Sequence, residues 1–245
     1  FAGGSLTGFA WFESRPFRHR SRRTPVTRTF LSLPFDVVSM EKASIDAPSS
    51  SSEAADGRSQ LSVHLGTTDV AVTRYRLAPG DGFPGGLHAH ADQEEVFVVL
   101  DGEATFEVYG TDDGSTDRDE GTATGDERTV TVDEGEAIRF ARGEFKSGTN
   151  DADGDLVALA IGAPRDSEDV RVPLACPECN HGDVRPVAGT DGVELVCPDC
   201  GAAHVPQACP GCGHEELDVA LDDGPRPVAV CPDCGTDVVN PLTRD

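Results

Sequence analysis

The sequence predicts an all-β fold: an antiparallel barrel or sandwich followed by two small metal-held modules. Three observations carry that expectation. Between residues 61 and 164, short apolar runs alternate with Gly and Asp turns at near-regular spacing, without a helical period. All eight cysteines lie after residue 175, each in a Cys-Pro-x-Cys pair. The stretch that holds them is an internal repeat.

Residues 1–39 stand apart in charge. They carry six arginines against Glu13 and Asp36, a balance of +4, whereas residues 40–245 carry 14 basic and 42 acidic side chains, a balance of −28. Met40, the only methionine, sits at the change. The expectation is that 1–39 is translated upstream sequence or an artefact. The twin arginines of "SRRTPV" lack a following apolar run of useful length, and an Arg- and Ser-rich transit peptide is the other reading. Residues 40–60, rich in Ser, Ala and acids, read as a disordered lead-in.

The expected barrel spans 61–164. "DVAVTRYRL" alternates and stops at "APGDG"; "EEVFVVL" stops at Asp101-Gly102; "EATFEVYG" puts Ala104, Phe106 and Val108 on one face. The loop 111–127 is too polar to bury and reads as a solvated hairpin tip. "RTVTV", "EAIRFA" and "LVALAIG" complete the strands, and 165–175 reads as a linker. No stretch approaches 18 consecutive apolar residues, so no membrane span is expected.

The repeat pairs "CPECNHGDVRPVAGTDGVELVCPDCG" (176–201) with "CPGCGHEELDVALDDGPRPVAVCPDCG" (209–235). Seventeen residues separate Cys179 from Cys197, and 18 separate Cys212 from Cys231. Both spacings suit a tetrahedral zinc site, with two thiolates across each tight turn and a hairpin between the turns. A unit of this size buries too little apolar surface to fold unaided, so the metal supplies the folding energy. Iron is the alternative ion, and disulfides are the weaker reading in a reducing, cytoplasmic setting. The frame favours one ion on Cys176, Cys179, Cys197 and Cys200 and another on Cys209, Cys212, Cys231 and Cys234. A pairing of inner with inner and outer with outer knuckles stays open. His181, His204 and His214 read as surface residues. Both repeats resemble zinc ribbons, which implies a task of protein contact, nucleic-acid binding or bracing of a neighbouring domain. Acidic hairpins put protein contact or bracing ahead of nucleic acid.

"GGLHAHADQEEVFVVLDG" (85–102) places His88 and His90 two apart, hence on one face of a strand. Glu95 comes from the next strand, whose inward face carries Glu95, Phe97 and Val99. Two imidazoles and a carboxylate suit Fe, Mn, Ni, Zn or Cu. Gly82, His88, His90, Glu95 and Gly102 in this spacing resemble the first motif of the cupins, small jelly-roll barrels. Gly135, Ala141, Gly143, Lys146 and Asn150 resemble the second, with Ala141 where Pro is usual and Lys146 where the fourth ligand, a His, is usual. The resemblance covers about 61–164. It implies a barrel with His88, His90 and Glu95 at its mouth beside Lys146, and a homodimer through edge strands.

Lys146 opposes a metal. An ammonium about 5 Å from a divalent ion costs on the order of 7 kcal/mol at an effective dielectric of about 20. Three resolutions are open: Lys146 loses its proton; it swings away or pairs with an anionic substrate that also touches the metal; or no metal is present and it pairs with Glu95. The first expectation is therefore a non-catalytic barrel that binds a small ligand or a metal, with Lys146, Glu95 and Phe97 in contact with the ligand. The alternatives are a metal-dependent oxygenase or isomerase using His88, His90 and Glu95, and a nucleic-acid-binding regulator. Net charge is −24 and the only lysines are Lys42 and Lys146, which argues against a basic groove. This Asp-rich, Lys-poor composition resembles proteins of salt-accumulating haloarchaea, where salt screens the self-repulsion.

Overall fold

The computed structural model describes residues 40–45, 57–110, 126–189, 192–221 and 226–243. Residues 1–39, most of the 40–60 lead-in and nearly all of the 111–127 loop lie outside the described residues.

The chain builds two antiparallel sheets packed face to face. The larger contains β1 (Arg58–Gln60), β2 (Ala71–Leu77), β4 (Glu94–Asp101), β7 (Ala137–Phe140) and β9 (Leu156–Ala163), in the order β1-β2-β9-β4-β7. The smaller contains β5 (Glu103–Gly110), β6 (Asp126–Asp133) and β8 (Phe145–Thr149), in the order β6-β5-β8. A ribbon of β3 (Ala89–His90) and β10 (Val170–Arg171) closes one end. Period-two patterning decides which side chains turn inward. Tyr75, Leu77, Phe97, Val99, Leu156 and Ala158 face Ala104, Phe106, Val108 and Val132 in one core. This is a jelly-roll barrel, and the architecture is all-β, as the sequence predicts. It also carries one short helix, α1 (Leu61–Leu65), that strand patterning did not anticipate.

Two boundaries differ from the expectation. The barrel begins at Arg58, because β1 pairs with β2 in register Arg58↔Tyr75 and leaves Ser59 8% exposed. The segment 165–175 is no free linker. Its β10 pairs with β3 (Val170↔His90), and Val172 and Leu174 are buried. A backbone that runs beside a strand end satisfies its polar groups by pairing.

The repeats fold as matching three-stranded units. The first holds β11 (Arg185–Ala188), β12 (Val193–Val196) and β13 (Ala203–His204); the second holds β14 (Asp218–Leu221), β15 (Pro227–Val230) and β16 (Asp237–Val238). All four knuckles share one backbone pattern, in which the leading Cys carbonyl accepts from the residue four on: Asn180, Gly201, Gly213 or Gly235. Each acceptor turn ends in a positive φ, between 60° and 81°, where Gly and Asn are tolerated best. The units are not separate beads. Leu87 and Tyr109 of the barrel share a buried cluster with Val172, Val184, Leu195, Val219 and Leu242. No helix among the described residues is long and apolar enough to cross a membrane.

Candidate functional site

The barrel site is assembled from three strands. His88 and Lys146 face each other across an antiparallel bridge, with His88 N–H donating to Lys146 O (3.1 Å) and Lys146 N–H to His88 O (2.9 Å). His90 follows on β3, and Glu95 leads the inward face of β4, ahead of Phe97 and Val99. One ligand atom from each of His88, His90 and Glu95 falls within 4.8 Å of the others.

Lys146 stands in their midst. Its side chain is 4% exposed, its Nζ contacts Glu95 Oε2, and it lies 3.4 Å from His88 Nε2. Burial pushes the Lys146 pKa down, while the Glu95 carboxylate pulls it back up. Burial, reinforced by the Lys146 charge, holds both imidazoles below the usual histidine range, His88 well below it. Both rings are therefore neutral near pH 7, and each has one nitrogen with a lone pair.

Hydrogen bonds decide which nitrogen that is. His88 Nδ1 lies 2.9 Å from Gly86 O, a carbonyl that can only accept. Nδ1 is the protonated nitrogen, and Nε2 turns its lone pair towards Lys146. His90 Nδ1 lies 2.9 Å from Ser167 Oγ, whose own hydroxyl donates to Asp92 Oδ1 at 2.6 Å. A hydroxyl has one proton to give, so His90 Nδ1–H donates and Nε2 is bare. That Nε2 is buried without a hydrogen-bond partner and faces Glu95 Oε2 at 3.4 Å. Asp92 is held as a carboxylate: desolvation raises its pKa, but the Ser167 hydroxyl and the Glu168 N–H outweigh that and leave it lowered.

Two imidazole lone pairs and a carboxylate converging in this way are a donor set that fits a divalent ion. The ammonium between them does not fit beside one. Lys146 is in direct contact with Glu95 in this arrangement.

Next to these groups is a small cleft of about 30 Å³, partly open to solvent, lined by Tyr75, Phe83, Phe97 and Phe106 as well as His88, Glu95 and Lys146. Phe83 stacks on Phe106 (centroids 5.7 Å, 14°) and meets Tyr75 and Phe97 edge-on. These rings rest on Gly148, where a Cβ would come within 2.6 Å of the Phe106 ring and 2.8 Å of Phe83. Sequence reading found Phe97 and missed Tyr75, Phe83 and Phe106 as lining. Only Phe106 had been assigned a face. It missed Ser167 altogether, since no local signal ties that residue to a histidine 77 positions earlier.

The cysteines form the two within-repeat clusters, Cys176/Cys179/Cys197/Cys200 and Cys209/Cys212/Cys231/Cys234. All eight are unbridged. Sulfur pairs stand 3.8 Å (Cys176–Cys200) and 3.5 Å (Cys179–Cys197, Cys209–Cys234, Cys212–Cys231) apart. Metal–sulfur bonds of about 2.3 Å put tetrahedral sulfurs about 3.8 Å apart, so both clusters fit a four-thiolate ion. The nearby histidines are partly exposed. His204 Nε2 lies 3.7 Å from Cys176 Sγ, His214 pairs with Asp233 (3.0 Å) and His181 with Asp183 (3.6 Å).

Fold and site together define the class: a jelly-roll barrel with a polar cluster at one end and two four-cysteine modules after it. No family model matches the sequence, and no curated protein matches it. Solved structures do resemble it. A cupin protein from Bacteroides fragilis matches at 22% identity over 51% of this chain and 84% of its own (TM-score 0.37). A putative sugar phosphate isomerase from Acidithiobacillus ferrooxidans matches at 19% over 57% and 74% (TM-score 0.38). An oxalate oxidase in complex with glycolate matches at 18% over 47% of this chain and 54% of its own (TM-score 0.36), so the match spans about half that protein's length.

Proposed function

We propose that the chain is a non-catalytic ligand-binding barrel whose site cation is its own lysine, braced by two zinc-bound modules. One observation carries this reading: the Lys146 ammonium touches Glu95 and lies beside His88 Nε2, where a divalent ion would have to sit. Lys146 suits the charge of a compact anion at the mouth of this small cleft, and the aromatic wall suits a short apolar side of it. The two thiolate clusters hold zinc and fix the modules against the barrel.

Elemental analysis of the purified full chain tests this. Two zinc ions per chain are expected, unchanged in a His88→Ala, His90→Ala variant. A third ion per chain, lost in that variant, overturns the reading.

A single feature favours a second reading. His90 Nε2 and Glu95 Oε2 are two acceptors 3.4 Å apart, an arrangement that a bound ion would relieve. In that reading His88, His90 and Glu95 hold a divalent metal and the barrel is an oxygenase or isomerase acting on a small anion. The metal would supply Lewis acidity, and Lys146 would hold the anion. The third ion of the same experiment is its signature.

A further inference from the structure

Each imidazole of the barrel site is fixed through its Nδ1, and in both cases the fixing group lies within five residues of a backbone contact with a C-terminal module. For His90 the group is the Ser167 hydroxyl, itself anchored on Asp92 Oδ1, while Asp92 Oδ2 accepts from Glu168 N–H at 2.7 Å. The same segment continues as β10 alongside His90. It then bridges into the first module, where Val172 N donates to Val184 O (2.9 Å) and Val184 N to Val172 O (3.0 Å).

For His88 the group is Gly86 O. The next residue, Leu87, donates its N–H to Val219 O on the second module at 2.7 Å and is fully buried in the cluster that contains Cys176 and Cys197. Gly86 itself has φ +56°, and a Cβ there would stand 2.8 Å from Val219 O. The module backbone thus presses on the residue whose carbonyl orients His88.

Nothing in the barrel core is needed to explain these contacts. Its sheets pack on their own aromatic and aliphatic residues, and Ser167 and Val219 take no part in that core. The contacts form two continuous links between the modules and the imidazoles, the first of them also held by the barrel through Asp92 and Ala91.

We propose that the C-terminal modules are the positioning device of the barrel site. Ser167 is the positioning residue for His90, and the Val219–Leu87 contact positions the Gly86 carbonyl for His88. Occupancy of the thiolate clusters therefore governs whether the two Nε2 lone pairs point at Lys146 and Glu95. The inference builds on the bracing role proposed above. Its test is read on protein whose elemental count is two ions, because a third ion on the Nε2 atoms would itself fix both rings as Nδ1–H.

Long-range ¹H–¹⁵N correlation on the full chain with ¹⁵N-labelled histidine reads which ring nitrogen carries the proton. The zinc-loaded chain is expected to show Nδ1–H for both His88 and His90. In Ser167→Ala, His90 is expected to shift to a mixture of tautomers while His88 stays fixed, and Ser167→Thr is expected to restore the wild-type pattern. Removing the ions with a chelator is expected to release both rings while the amide signals of Val99 and Phe106 keep their native positions. A His90 tautomer unmoved by Ser167→Ala overturns the Ser167 role. Rings that stay fixed after ion removal overturn the coupling, and so does loss of the Val99 and Phe106 signals with the ions, which would make barrel and modules one cooperative unit. A failure of the ligand-binding reading instead shows as the third ion in the elemental count, with these tautomers untouched.

Discussion

The barrel and the second module solve the same problem with different means. The barrel buries Tyr75, Phe97, Phe106, Phe140 and seven smaller side chains between two sheets. The second module's own core is Leu217, Ala229, Cys209 and Cys231, so half of it is cysteine from the four-thiol cluster. Folding one residue costs on the order of 1–2 kcal/mol of backbone entropy, and burial returns about 25 cal/mol per Å². Strands with large inward side chains can meet that cost by packing. A hairpin of four-residue strands cannot, and a bond to an ion would make up the difference. In each cluster the leading Cys of a knuckle is buried and the trailing one exposed, so an ion held there would sit between core and solvent.

The comparison breaks most visibly at the sulfurs. Replacing Cys209 and Cys231 by Ser is expected to remove one of the two ions and about 10 kcal/mol of apparent binding free energy that folds the second module. Hydrogen exchange should show β14–β16 losing protection while β4 and β5 keep theirs. Equal loss in both regions would mean that the barrel cannot stand without the module.

A smaller effect is expected in the barrel itself. Phe106 is 1% exposed and touches Phe83, Phe97 and Phe140. Phe106→Ala should cost about 4 kcal/mol in a denaturant titration and leave the ion content at two. If the variant also loses an ion, the two regions are less separate than their cores indicate.

The smallest of the three effects sits at the site. Lys146→Met leaves the Glu95 carboxylate buried without its cation and should cost about 3 kcal/mol, with most of it recovered when Glu95→Gln is added. A double variant no more stable than the single one would show that Lys146 acts through packing and not through charge.

Much of this chain is legible along its sequence because the informative spacings are short. Cys-Pro-x-Cys turns, a His-x-His pair and strands alternating with period two are each governed by geometry within a few residues. The inward alternation of Glu95, Phe97 and Val99 follows from that period, and so does the exposure of the opposite face. The positive φ of each knuckle is written in a Gly or Asn at a fixed offset from its leading Cys. Where that reading fell short, the contacts are long-range. Residues 165–175 look like a linker because their composition is polar, yet pairing with β3 makes them part of the fold.

The sequence by itself determined the all-β class, the four Cys-Pro-x-Cys knuckles and the residues that can meet at the barrel mouth, because each depends on local periodicity or on a short turn. Only the tertiary structure decided that Lys146 pairs with Glu95, that Ser167 and Asp92 fix His90, and that Val219 presses on the turn before His88. Those contacts join residues 51 to 132 positions apart, and which partners meet at such separations is set by how the sheets and modules pack.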